Sequence, residues 1–269
     1  MRRRRAKEFH PIGSVFRTLF SMELGRPRWK GKAFADIAHA NPMSEIVTQL
    51  QVSLTQSKTY AMLSGCDILL EAGLELADLL SKASFGRGIV TSNKGKQWFQ
   101  LGPEEAFYLC HALKCLKVSR DNETCMSEME LWDHFRSNRE AFPEFYKAYF
   151  HLRSKNWVVR SGIQYGVDYV AYRHHPALVH SEYAVLVVAD GDGDASSGRL
   201  RVWSDLHCTL RVCGSVAKTL LVLTVRRYGS DRNSLNCLEE FIVEERTITR
   251  WVPERCREDQ GLEEALGVD

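Results

Sequence analysis

The chain has 269 residues, 44% apolar and 26% charged, and no run approaches the ~20 consecutive apolar positions of a membrane-spanning helix. That length suits one large or two ordinary domains around real cores, and the charged start has no apolar stretch behind it, which sets secretion and membrane insertion aside. The formal net charge of +2 hides an asymmetry: residues 1–32 hold ten Lys and Arg against Glu8 and Glu23, or +8, which leaves −6 on the rest.

Residues 1–32 read as a basic, disordered leader without a sustained apolar period, interrupted by Gly13, Gly25, Pro27 and Gly31. Its Arg2-Arg3-Arg4-Arg5 run with Lys7 fits a nuclear localisation signal, an RNA-touching arm, or a solvated leader with no address. Residues 33–155 read as an N-terminal mixed, largely helical domain in which Phe85-Gly-Arg-Gly-Ile-Val is a turn into a strand. Gly102-Pro103-Glu104-Glu105 then opens a helix, because proline fits the first helical position and the carboxylates meet the positive end of the dipole. Phe107, Cys110, Leu113 and Leu116 form its apolar face. A second helix is announced by the capping box Ser127-x-x-Glu130, followed by Leu131, Trp132 and Phe135. A third begins near Pro143 and carries Phe145, Tyr149, Phe150 and Leu152. Helices of this kind leading into Trp157-Val-Val-Arg can form a winged nucleic-acid reader, but an aromatic stripe at helical spacing favours packing against the next domain.

After Asn156 the period becomes alternating, with strands expected at about 157–160, 167–172 and 182–189 in an α/β domain spanning 156–253. Asp190-Gly-Asp-Gly-Asp has calcium-loop letters, but Arg201 stands where the closing glutamate belongs, so Asp190–Gly198 reads as a hairpin-type loop. A helix follows from Ser204 to Thr219 with Gly214 as a weak point, then a strand at 220–227, a polar loop, a strand at 239–251, and an acidic tail over 254–269. The eight cysteines include no Cys-x-x-Cys pair, so they read as reduced, mostly buried thiols of an intracellular protein rather than as a zinc or redox motif. No cofactor is called for.

Chemistry concentrates in Tyr172, His180 and Lys218. A phenol, an imidazole and an ammonium suffice, without a metal, to cut RNA through its own 2′-hydroxyl: a base takes that proton, an acid protonates the departing 5′-oxygen, and a cation steadies the phosphorane-like transition state. Free imidazole, with a pKa of about 6.5, makes His180 the natural acid and Lys218 supplies fixed charge; a phenol at about 10 needs a nearby ammonium to lower it before Tyr172 serves as base. Tyr172 ends one strand and His180 begins the next, and Lys218 follows Arg211 by two helical turns, which puts both cations on one helix face. From residue types alone, an ordinary sheet tyrosine, loop histidine and surface lysine fit as well.

The stretch Tyr165-Gly-Val-Asp168-Tyr-Val-Ala-Tyr172 through His180-Ser-Glu-Tyr183, the Ser215-Val-Ala-Lys218-Thr-Leu-Leu helix end and the terminal Thr249-Arg-Trp251-Val resemble the catalytic subunits of tRNA-intron splicing endonuclease. The resemblance implies Tyr172 as base, His180 as acid, Lys218 as transition-state stabiliser, Tyr165 as a structural tyrosine, and Arg211 with Trp251 as a cation-π clamp on a flipped intron base. It further implies a nuclear lyase that leaves 2′,3′-cyclic phosphate and 5′-hydroxyl ends on precursor tRNA. The assembly would be a heterotetramer with a second catalytic and two structural subunits, paired through C-terminal strands such as 239–251. Among eukaryotic subunits the chain most resembles the one that cuts the 5′ splice site, although the usual Lys-Gly-Pro-Pro-Phe becomes His174-His175-Pro176-Ala177-Leu178. Those two histidines read as solvated loop residues touching RNA phosphate rather than as metal ligands. The alternatives are a non-catalytic scaffold of the same complex and a metal-dependent nuclease using Asp168 and Glu182.

Overall fold

A computed structural model describes residues 18–19, 26–57, 60–89, 95–120, 124–190, 202–228 and 235–248. Two mixed sheets organise the chain. In the N-terminal half, helices α1 (Phe34–Ala40) and α2 (Met43–Gln56) precede a hairpin of β2 (Ala61–Ser64) and β3 (Asp67–Gly73). The two strands turn at Gly65, whose φ of +62° is a conformation only glycine adopts without strain. Strict alternation along β3 buries Ile68, Leu70 and Ala72 on one face. Helix α3 (Leu74–Ala83), β4 (Arg87–Ile89), β5 (Lys96–Leu101) and β6 (Val118–Ser119) complete a five-stranded sheet ordered β4-β5-β3-β2-β6.

The helix starts follow the local chemistry. Pro103 opens α4 (Pro103–Phe107), which relaxes into a π-helical turn over Tyr108–Ala112. Ser127 caps α5 (Glu128–Asn138): its hydroxyl accepts the Glu130 N–H at 3.2 Å, and the Glu130 carboxylate accepts the Ser127 N–H at 2.7 Å. Helix α6 (Phe142–Ser154) has Pro143 in its first turn. Phe107, Trp132, Phe142 and Tyr146 meet between these helices with centroids 4.7 to 6.5 Å apart. The aromatic stripe is therefore packing, not a reader surface.

The second sheet has six strands ordered β1-β11-β10-β9-β8-β7. They are β1 (Thr18–Leu19), β7 (Val158–Ser161), β8 (Tyr169–Tyr172), β9 (Tyr183–Asp190), β10 (Thr219–Arg227) and β11 (Phe241–Ile248). Only β9 and β10 run parallel, joined by helix α7 (Trp203–Ser215). Odd residues of β9 (Tyr183, Val185, Val187) join the core that runs back through α6 to Met43, whereas Ala184 and Leu186 pack in a smaller core with Cys213 and Leu210 of α7. Helix α6 is also bound to β11 by polar contacts: Glu245 accepts from His151 and Lys155, each at 2.6 Å.

Two expectations change here. The first 32 residues are not without fold elements: Thr18 and Leu19 pair antiparallel with Ile248 and Thr247, and Trp29 forms a bridge with Val179. Such pairings depend on partners more than a hundred residues away, so local periodicity carries no trace of them. The helix expected to reach Thr219 ends at Ser215, because Ala217 turns left-handed (φ +50°) and the Lys218 N–H closes back onto the Cys213 carbonyl at 2.9 Å. The Asp190–Gly198 loop (beyond Asp190) and the 254–269 tail lie outside the described residues.

Candidate active site

The row that crosses the end of the second sheet is set by backbone pairing. The Glu182 N–H donates to the Ala171 carbonyl at 3.0 Å, and the Glu182 carbonyl accepts the Thr219 N–H at 2.9 Å. Tyr183 correspondingly pairs with Ala171 on one side and Thr219 on the other. Tyr172 follows Ala171 and Lys218 precedes Thr219, so the two flank Glu182 with backbones roughly 10 Å apart at about 4.8 Å per strand. By alternation Tyr172 falls on the face of Val170, where Tyr165 also packs under α7. His180 stands two residues before Glu182, an exposed imidazole between the buried Val179 and Ser181. The structure thus brings Tyr172, His180 and Lys218 to one end of one sheet.

Lys218 reaches this end by a strained route. Its position follows a helix cap in which Ala217, rather than glycine, takes the left-handed conformation, and the Ala217 N–H donates to Gly214 at 3.3 Å. Lys218 is consequently off the α7 face that carries Arg211. Its ammonium lies 4.4 Å from the centroid of the Tyr165 ring, a cation-π contact that gives the tyrosine expected to be structural a definite task. Burial pushes the Lys218 pKa down, the nearby Arg28 charge adds to that, and the Cys213 thiol acts against it.

Burial also raises the Tyr172 phenol above its ordinary 10.0; a hydrogen bond with Ser181 opposes that rise, neighbouring Tyr165 adds to it, and Arg160 weakens it. The lowering by a close ammonium, expected from the residue types, is corrected by this geometry: Lys218 is directed over the Tyr165 ring and not at the Tyr172 oxygen.

A segment that the sequence did not connect with chemistry completes the site. The Arg28 carbonyl accepts the His180 N–H at 3.0 Å, the Lys30 N–H donates to the Leu178 carbonyl at 2.9 Å, and Trp29 bridges Val179 between them. The Arg28 guanidinium donates to the Ser181 carbonyl at 2.9 Å. No spacing signal could have found it, since 153 positions separate the partners.

Other expected residues scatter. Arg211 is exposed on α7; Trp251, its expected partner in the clamp, lies outside the described residues. His174 is not a solvated loop residue: it is 6% exposed and its Nε2 contacts the Asn41 carbonyl at 2.8 Å. His175 is half-buried, accepts the Ala177 N–H at Nδ1, and has its pKa lowered by burial and then by Arg160. The two carboxylates considered as metal ligands are already engaged: Asp168 accepts the Val187 N–H at 2.9 Å, and Glu182 is gripped by Arg173 through two hydrogen bonds of 2.5 and 3.0 Å. Among the described residues no three His, Cys, Asp or Glu side chains gather in a metal-holding group.

Comparison with known proteins matches residues 59–132 to the family described as tRNA intron endonuclease, N-terminal domain, and residues 142–232 to tRNA intron endonuclease, catalytic C-terminal domain. The chain is 57% identical over 247 residues to the "Probable tRNA-splicing endonuclease subunit Sen2" of Oryza sativa subsp. japonica, which covers 89% of this chain and 84% of the relative. It is 54% identical over 236 residues to tRNA-splicing endonuclease subunit Sen2-2 of Arabidopsis thaliana, covering 87% and 92%. With tRNA-splicing endonuclease subunit Sen2 of Mus musculus it shares 33% over 169 residues, 61% of this chain but 36% of the mouse protein.

Proposed function

Since the chain belongs to the tRNA intron endonuclease family and is a tRNA-splicing endonuclease subunit of the Sen2 type, we propose that it makes the cut at the 5′ splice site of intron-containing precursor tRNA. The observation that carries this reading is the single row in which Tyr172 and Lys218 flank Glu182 at the strand end, with His180 exposed just ahead of it. The 2′-hydroxyl before the junction attacks phosphorus, the bond to the 5′-oxygen breaks, and the products are a 2′,3′-cyclic phosphate and a 5′-hydroxyl. Tyr172 takes the 2′ proton and orients that hydroxyl, His180 protonates the departing oxygen, and Lys218 steadies the charge on the non-bridging oxygens. Because burial holds the Tyr172 phenol above its ordinary range, little phenolate is present near neutrality, and orienting the 2′-hydroxyl is the larger part of its task.

Exposed Arg211 supports an RNA contact, with Trp251 as its partner in the clamp. A second catalytic subunit and two structural subunits would complete a heterotetramer, and the part of β11 before Thr247, which β1 leaves open among the described residues, offers a strand edge to one of them. A nuclear address accompanies this reading. The engagement of Asp168 and Glu182 argues against the metal-dependent alternative.

The test is cleavage of an intron-containing precursor tRNA, in EDTA, by the co-expressed complex carrying wild-type chain or His180→Ala. The expected result is both cuts by the wild type, and a 5′ cut slowed about 10²- to 10⁴-fold in the variant with the 3′ cut intact. A variant that still makes both cuts would identify a non-catalytic scaffold instead.

A further inference from the structure

The Arg28–Lys30 segment lies outside both spans that match the family and belongs to the leader by charge, yet it is laid antiparallel along residues 178–180. We infer that this segment is a working part of the active site, and that Arg28 is a positioning residue for His180 and Tyr172 and a second cation beside Lys218. Two hydrogen bonds place it there, and an electrostatic effect on Lys218 accompanies them. Its carbonyl takes the His180 N–H, which fixes the backbone from which the acid projects. Its guanidinium holds the Ser181 carbonyl, and Ser181 is the residue that counters the rise of the Tyr172 phenol pKa, so one arginine spans the backbone of the acid and a neighbour of the base. Its charge is also felt at Lys218, alongside the Cys213 thiol and the Tyr165 ring that face the same ammonium.

The connection from Tyr172 to Tyr183 needs such support. It contains no strand of its own between β8 and β9, and its backbone bonds to Arg28 and Lys30 turn an irregular connection into a short paired element. Arg28 itself is exposed, so its side chain can be changed without opening a core. The guanidinium and the Lys218 ammonium together form a two-cation seat for one phosphate, in keeping with the bidentate preference of arginine for phosphate oxygens.

This inference rests on the proposed 5′ cut, and the experiment separates the two. In the co-expressed complex, single-turnover cleavage of precursor tRNA at saturating enzyme is followed across pH for wild type, Arg28→Ala, Arg28→Lys and Lys30→Pro, the last removing the N–H that meets Leu178. For Arg28→Ala the 5′ cut is expected to slow about tenfold to a hundredfold at unchanged RNA affinity, while the 3′ cut in the same tube is unaffected. Arg28→Lys restores part of the rate, and Lys30→Pro slows only the 5′ cut. Removing the Arg28 charge also lets the Lys218 pKa rise, so any loss of 5′ rate that accompanies Lys218 deprotonation moves to higher pH in Arg28→Ala and not in Arg28→Lys, a shift that a merely structural arginine would not produce. The inference is overturned if Arg28→Ala matches wild type at both sites and all pH values. It is equally overturned if both cuts fall together with the melting temperature, which would make the segment general support. A wild-type complex that leaves the 5′ site uncut sinks the functional reading itself.

Discussion

Tyr146 and Tyr172 show how the same side chain serves two ends of the molecule. Tyr146 sits in the aromatic cluster with Phe107, Trp132 and Phe142, 1% exposed, its hydroxyl without a hydrogen-bond partner and its phenol pKa driven far up by burial. Tyr172 is also raised by burial, but less completely: it is half-buried, has Ser181 as a partner, and stands where a strand gives way to a loop. Burial alone only silences a phenol. Reactivity requires partial burial, a polar partner and an open side, which are conditions of a strand end and not of a packed helix face. The arginines repeat the contrast. Arg153 is buried over the Phe85 ring at 4.0 Å and donates to Ser84, whereas Arg28 keeps its side chain open beside the acid.

If the cluster is purely structural and the sheet end purely chemical, substitutions should divide cleanly between stability and rate. The largest stability effect is expected from Trp132→Ala, which empties a fully buried site and should cost about 3 to 5 kcal/mol in denaturant unfolding. The cleavage rate of the folded fraction should not change, and a lower rate would mean that the cluster transmits order to the site through α6.

An intermediate effect belongs to the contact between the halves. Burial alone would raise the Glu245 pKa, but hydrogen bonds from His151 and Lys155 outweigh it and hold the carboxyl below 4.5. A depressed folded-state pKa contributes stability above the unfolded value and loses it as pH falls through the folded one. Glu245→Gln should therefore cost about 1 to 3 kcal/mol at neutral pH, with the difference from wild type vanishing in acid once pH falls below the depressed folded-state value. A deficit that persists there would assign the loss to packing.

The smallest change tests the strained cap. Ala217→Gly relieves a left-handed residue and should stabilise the chain by about 1 kcal/mol, read as a rise of a few degrees in melting temperature. An accompanying fall in the 5′ cleavage rate would show that the stiff alanine cap holds Lys218 in place.

Much of this architecture was legible in the residues because it is local. Ser127 and Glu130 lie three positions apart and form their capping box whatever else the chain does. The near-continuous apolar runs of β9 and β10 mark strands because both their faces are covered, and Tyr172, His180 and Lys218 could be picked out by their order in a family pattern. Other features could not be read in this way. The α7 terminus at Ser215 falls four residues before the end that helical spacing predicts, because alanine is a poor signal for a left-handed cap. His174 looked like a loop residue, yet the loop folds onto Asn41 across 133 positions.

The sequence by itself determined which side chains are available for RNA chemistry, where the helices begin and which faces are apolar, for these depend on residue type and on spacings of two to four. Only the tertiary structure decided that Lys218 stacks on Tyr165 instead of lowering Tyr172, that His174 is buried, and that a basic leader segment supports the acid. Those outcomes arise from backbone hydrogen bonds, burial and charges meeting across the chain, and an interaction between positions 28 and 181 leaves no periodicity behind it.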